Sequence, residues 1–198
     1  MLPALHDLDD IRRLLSDLLG PDRAAQQAAR DREPTLTKPP GALGRLEALA
    51  EWLAAWQGRH PPGVANVRAR LFAGNHGVVA RGVSAYPAEV TAQMVANFEA
   101  GGAAVNQLCR AMGVELAVDA LALDRPTGDI TQGPALDEAR FMDAFRFGFG
   151  SVPEGTDLLA LGEMGIGNTT PAAALCHHLL GGRARDWTGP GTGVAGSR

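Results

Sequence analysis

Residues Leu159–Leu180 read LALGEMGIGNTTPAAALCHHLL, an apolar run that breaks into three glycines and then into a good helix former. The pattern predicts a strand over Leu158–Leu161 ending at Gly162 and a helix over Pro171–Leu180. Thr170 reads as the N-cap, with Pro171 in the first helical position, where a missing N–H leaves nothing unpaired. The glycines permit positive φ or close backbone approach. Free N–H groups and the positive end of the helix dipole then converge on one point, which suits an anion. No Gly-Lys-Ser/Thr follows, so this is not a triphosphate loop. It is not GxGxxG either, because Thr170 stands where the last glycine belongs. A phosphate monoester on Gly165, Ile166, Gly167, Asn168, Thr169 and Thr170 fits best; a tight turn without a ligand is the competing reading. Glu163, in the same loop, is suited to ribose hydroxyls or to a proton donor on a heterocycle, and otherwise reads as a solvated turn residue.

Outward from this stretch, residues 61–198 alternate short apolar runs with helical segments. VRARLFAG, GVELAVDA and TDLLALGE read as strands. Pro87–Glu99, Ala103–Met112 and Pro171–Leu180 read as helices. This βαβα order predicts an α/β fold with a Rossmann-like parallel sheet flanked by helices, and in such sheets ligands sit at the carboxyl ends of the strands. Residues 1–60 differ. Leu5–Leu19 carries apolar residues at helical spacing, with one stripe expected to be buried, and stops at Gly20-Pro21. A polar, alanine-rich helix follows over Asp22–Arg32. After TKPPGALG, Leu43, Leu46, Leu49, Leu53 and Trp56 recur at three or four. An N-terminal helical subdomain is expected here, with a boundary at the His60-Pro61-Pro62-Gly63 punctuation.

The second polar cluster is GNHG, Gly74–Gly77, followed by a helix entry at Pro87. Val90, Met94 and Phe98 should face the core. Ser84, Tyr86 and Gln93 lie at or near the entry, where a flat aromatic ligand finds apolar walls and a few orienting polar groups. His76 is either a ligand contact or a structural histidine bonded to backbone.

Composition excludes other classes. The chain has 198 residues, 45% of them hydrophobic, enough for a real core. Its 18 basic and 22 acidic residues give a net charge of -4 and no basic stripe, so nucleic acid is not an expected partner. Cys109 and Cys176 have no CxxC or Cys/His spacing, and the adjacent His177 and His178 point to different helix faces. No metal and no cofactor are expected. The acidic start MLPALHDLDD is unlike a signal peptide and no run is long enough for a membrane span, so a cytoplasmic protein is expected.

Three longer motifs, TKPPGALGRLE (Thr37–Glu47), NHGVVARGVSAYPAEVT (Asn75–Thr91) and GEMGIGNTTPAAA (Gly162–Ala174), together resemble the nicotinate-nucleotide:dimethylbenzimidazole phosphoribosyltransferase family. The resemblance implies transfer of phosphoribose from nicotinate mononucleotide to 5,6-dimethylbenzimidazole, giving α-ribazole 5'-phosphate and nicotinate for the lower ligand of cobalamin. It also implies a homodimer with a Rossmann-like large domain and a small helical domain. Ser84, Tyr86 and Gln93 would lie in the dimethylbenzimidazole pocket. The family's general-base glutamate lies in a C-terminal part beyond anything in this chain, which leaves Glu163 as a candidate substitute. The ending DWTGPGTGVAGSR resembles the family's Gly-Arg-Gly-Thr-Gly loop, with Pro190 for the arginine. Relatives often carry an acidic residue at the position of Asn75. From these departures the chain is expected to be a C-terminally truncated member, with later strands and helices missing and poorly stable or inactive alone. The alternative to an active transferase is a non-catalytic remnant that at most binds nicotinate mononucleotide.

Overall fold

The computed structural model describes residues 4–193, so the VAGSR ending lies outside the described residues. Two compact units are present: residues up to Val67 with Pro153–Leu158, and Arg68–Val152 with the chain from Leu159 onward.

The first unit carries α1 (Leu8–Ser16), α2 (Arg23–Arg32) and α3 (Arg45–Gln57). Asp7 caps α1 by accepting from the Asp10 amide at 2.9 Å, and Asp22 caps α2 by accepting from the Ala24 and Ala25 amides. α1 is shorter than its apolar pattern predicts. Leu18 and Leu19 lie beyond its end and are exposed, and Ile11 is the buried residue of the helix. α3 also departs from expectation. Its leucine and tryptophan stripe is largely exposed, and its buried residues are Ala54 and Ala55. Alanines are buried on α2 as well, Ala25 and Ala29, and small side chains let the packed α2 and α3 approach closely. Glu51 of α3 ties the pair by accepting from Gln26 and Arg30. Lys38 sits between Glu33 and Glu47, whose carboxylates hold its ammonium above its ordinary pKa.

The second unit is built on a three-stranded parallel sheet flanked by helices, as expected, in the order β2-β1-β3. β1 is Val67–Ala73, β2 Glu115–Ala120 and β3 Leu158–Met164. β1 and β2 pair in register from Arg68 opposite Glu115 to Ala73 opposite Ala120. The helices α4 (Val90–Glu99) and α5 (Ala104–Met112) connect β1 to β2; α6 (Glu138–Gly150) connects β2 to β3; α7 (Thr169–Leu180) and the short α8 (Ala184–Trp187) follow. Alternate residues of the central strand, Ala69, Leu71 and Ala73, are buried as the pleat requires. Leu71 and Ala73 form the core with Val95 and Phe98 of α4. The fully buried residues of α4 are Thr91, Val95 and Phe98, and Met94 of the Val90, Met94, Phe98 stripe read from the sequence packs partly buried against the same core. α4 also begins later than Pro87, because the Val90 and Thr91 amides close turns onto the Pro87 and Ala88 carbonyls first. Arg70 on β1 makes a two-pronged ion pair with Asp119 on β2 and donates to the Ser151 carbonyl after α6, fastening three elements at once.

At the decisive stretch two boundaries move. β3 runs on through Gly162 and Glu163 to Met164; at Gly162 the backbone is extended beside β1, and an added Cβ would meet Leu71 and the Arg70 carbonyl oxygen only at ordinary contact distances of 3.7 and 3.8 Å. α7 starts at Thr169 with Asn168 as its N-cap, so Thr170 is helical and Pro171 is the third helical residue. Proline is tolerated there because the first turn has no intrahelical acceptors for its amides.

Candidate functional site

The site lies at the carboxyl ends of β1 and β3. Gly74 follows β1, and its amide donates to the Met164 carbonyl at 3.0 Å, joining the two strand ends. His76 follows, held in extended backbone from both sides: the Thr127 amide donates to the Asn75 carbonyl and the Gly77 amide to the Thr127 carbonyl, each at 3.0 Å. This bridge depends on glycine at position 77, where a Cβ would lie 2.5 Å from the Thr127 carbonyl oxygen. Gly77→Ala is therefore expected to destabilise the protein by about 1–3 kcal/mol in urea unfolding. An unchanged midpoint would show that the Thr127 segment is free to move away.

The turn between β3 and α7 is held from below. Ile166 is buried, and its amide donates to the Thr91 hydroxyl at 3.1 Å; Thr91 itself is fully buried on α4. Thr91→Val leaves a buried N–H without an acceptor, and about 1–3 kcal/mol of stability should be lost in thermal or urea unfolding. Gly167 adopts φ +77, the left-handed region, and a Cβ there would meet Val79 at 2.8 Å. The Asn168 and Thr170 amides close turns onto Gly165 and Gly167. Among the described residues, the amides of Gly165, Gly167 and Thr169 take no part in these bonds, a smaller set than the sequence alone implies. The second glycine loop comes alongside: Gly191 approaches the Thr169 hydroxyl, and the hydroxyls of Thr192 and Ser84 are 2.9 Å apart.

Two clefts open here. One, of about 890 Å³, is lined by His76, Ser84, Tyr86, Pro87, Glu89 and Leu123, among others. The other, of about 470 Å³, is lined by His76, Glu163, Asn168, Thr169, Pro171 and Leu175, among others. His76 belongs to both walls. Its imidazole also stands against Gly165, where a Cβ would lie 3.1 Å from His76 Nε2. Burial pushes the His76 pKa below its ordinary value, and the nearby Glu163 carboxylate pulls it partly back. Glu163 accepts a hydrogen bond from the Asn168 side chain.

The structure thus brings His76 together with Ser84 and Tyr86 on one side and with Glu163, Asn168 and Thr169 on the other. Gly165, Ile166 and Gly167 are buried in the turn beneath, and Thr170 is partly buried in the first turn of α7. Gln93 is exposed on α4 and forms part of neither wall. Thr91, Thr127 and Thr192 are supporting residues that sequence reasoning missed; Thr91 alone had a signal, a lone hydroxyl on an apolar helix face. Asn75 donates to the Leu123 carbonyl at 2.9 Å, while its side-chain oxygen is buried without a partner among the described residues.

Among the described residues no helix is long and apolar enough to cross a membrane, and no cluster of His, Cys, Asp and Glu could hold a metal ion. A parallel sheet with a glycine turn and paired clefts at its carboxyl edge defines an α/β protein with its candidate ligand site where such sheets place one. Comparison with known proteins makes the class specific. The sequence model of a family described as phosphoribosyltransferase matches residues 19–198, and the chain belongs to that family. It is 59% identical over 194 residues to the nicotinate-nucleotide–dimethylbenzimidazole phosphoribosyltransferase of Ruegeria pomeroyi, covering 98% of this chain and 58% of the relative. It is 60% identical over 188 residues to the protein of the same name from Rhizobium meliloti, covering 95% and 55%. The crystal structure of CobT from Thermus thermophilus superposes with a TM-score of 0.75 at 42% identity, over 87% of this chain and 57% of that one. The chain therefore spans somewhat more than half the length of the relatives it matches.

Proposed function

We propose that the chain carries the substrate clefts of a transferase that moves phosphoribose from nicotinate mononucleotide to 5,6-dimethylbenzimidazole. The observation that carries this reading is the meeting of two clefts at His76. The smaller one fits a nucleotide: the Gly167 and Thr169 amides and the start of α7 take the phosphate, and Glu163 takes ribose hydroxyls. The larger one fits the flat acceptor, with Tyr86 and Pro87 as apolar surface and Ser84 as an orienting hydroxyl. An acceptor nitrogen placed there attacks the anomeric carbon from the face opposite the departing pyridine. Its lone pair forms the new C–N bond while the old bond's electrons return to the pyridinium nitrogen, and the β-nucleotide becomes an α-riboside. The leaving group is already cationic, so positioning supplies most of the catalysis. The relatives' names support the substrates. The family resemblance supports a helical small domain in residues 1–60 and a homodimer, and the free thiols of Cys109 and Cys176 accord with a cytoplasmic setting.

Incubation of the 198-residue chain with both substrates, followed by chromatography, tests the reading directly. α-Ribazole 5'-phosphate and nicotinate are expected in equal amounts. Nicotinate mononucleotide that binds but never turns over would leave only the binding half of this function.

A further inference from the structure

We propose that a third cavity beside His76 receives the pyridine ring of nicotinate mononucleotide, and that Arg140 and Arg125 hold its carboxylate. This rests on the transferase reading above and names the residues that select a nicotinate nucleotide over a nicotinamide one. The cavity measures about 480 Å³ and lies at the carboxyl ends of β1 and β2, against α6. It shares Gly74, His76 and Leu121 with the nucleotide cleft, so a ring joined to a ribose there can reach it. Attack and departure take opposite faces of the anomeric carbon, so the donor ring needs a chamber other than the acceptor's. Charge assigns it to this one. A carboxylate leaving water needs a cation or hydrogen-bond donors. The charged side chains lining the acceptor cleft are Glu89 and Asp124, and the nucleotide cleft has Glu163, all of them carboxylates. The third cavity has Arg125 and Arg140, and its one carboxylate, Asp143, already pairs with Arg146 at 3.2 Å. Leu121, Leu136 and Phe147 give a flat ring its apolar wall.

Arg140 is held in place before any ligand arrives. It sits in the first turn of α6, where Asp137 accepts from its amide at 2.8 Å. Its Nη2 donates to the Arg125 and Pro126 carbonyls at 2.7 and 3.2 Å, which fixes the guanidinium against the chain that leaves β2. Nε and Nη1 take no part in these bonds and remain as charged donors for a carboxylate. Arg125 stands on a turn that starts at Ala122, φ +45, and its amide closes onto the Ala122 carbonyl at 2.9 Å. The two cations also favour departure. As the C–N bond breaks, its electron pair returns to the ring nitrogen, and the leaving group passes from a zwitterion without net charge to an anion. Cations beside the carboxylate therefore hold departing nicotinate more strongly than the bound nucleotide.

The test is calorimetric binding of nicotinate mononucleotide and nicotinamide mononucleotide, which share the ribose phosphate and differ in the carboxylate, to wild type, Arg140→Gln and Arg125→Gln. Arg140→Gln should weaken the nicotinate nucleotide about 10- to 100-fold and change the nicotinamide nucleotide by less than about 3-fold. Arg125→Gln, at a more exposed residue, should show the same selectivity with a loss of about 3- to 10-fold. It also decides the matter if Arg140→Gln fails to fold, because no bond of the described structure uses the Arg125 side chain. Equal losses for both nucleotides would place the cations on the phosphate, and no loss would place the ring elsewhere. Either result overturns the assignment and leaves the transferase reading standing. Wild type that binds neither nucleotide sinks that reading for this chain. The carboxylate site is then decided by NMR with nicotinate alone: line broadening by wild type that Arg125→Gln abolishes, and that nicotinamide does not show, supports it, and any other pattern overturns it.

Discussion

Gly165→Ala should weaken nicotinate mononucleotide binding by about 100-fold or more in calorimetry while leaving a folded protein. The methyl group would be driven into the Gly74 carbonyl oxygen and would stand 3.1 Å from His76 Nε2. Neither neighbour can yield freely. Gly74 is tied to Met164 at the ends of β1 and β3, and His76 is pinned through Thr127. The turn must therefore move, and with it the Gly167 and Thr169 amides proposed to receive the phosphate. A displacement of about 1 Å in positioning groups commonly costs about 10²-fold. Gly162→Ala is the matched control, since its methyl meets Leu71 at 3.7 Å and the Arg70 carbonyl oxygen at 3.8 Å, both ordinary contacts. Full affinity in Gly165→Ala would show that the phosphate does not sit on this turn.

Much of this architecture was legible in the residues. The three strands were, because each is a short apolar run between turn signals, and Asp22 marked the start of α2. α6 has no counterpart in the expectations, and its composition shows why. Phe145, Phe147 and Phe149 alternate as in a strand, whereas Phe141, Phe145 and Phe149 repeat every four as in a helix. The fold takes the second period, with rings stacked at 6.2 and 6.1 Å, and sends Phe147 edge-on to Phe72 of β1. Apolar spacing also located α1 and α3 without showing which face is covered; close alanine packing took the place of the leucine stripe in α3. For the site, motif residues could be named one by one. Their convergence could not, because His76 and Glu163 meet only once β1 stands next to β3, and strand order is not written in local pattern.

That adjacency underlies the last expectation, for Glu163→Gln. The amide keeps the shape of the side chain and an oxygen to accept from Asn168, so the turn should stay in place. What disappears is the negative charge. His76 is held below its ordinary pKa by burial, and the carboxylate opposes that shift, so its removal leaves burial unopposed. The His76 pKa should therefore fall further, and its NMR titration midpoint should move to lower pH. The ribose hydroxyls proposed to bond Glu163 exchange a charged acceptor for a neutral one, worth about 1–3 kcal/mol, or about 10- to 100-fold in affinity for nicotinate mononucleotide. Two consequences follow from one substitution: the His76 midpoint moves to lower pH, and nicotinate mononucleotide binds less tightly. A turn distorted by the amide would weaken nucleotide binding without moving the His76 midpoint. The midpoint separates the two causes, and if it stayed where it is in wild type, Glu163 would not be the charge that His76 feels.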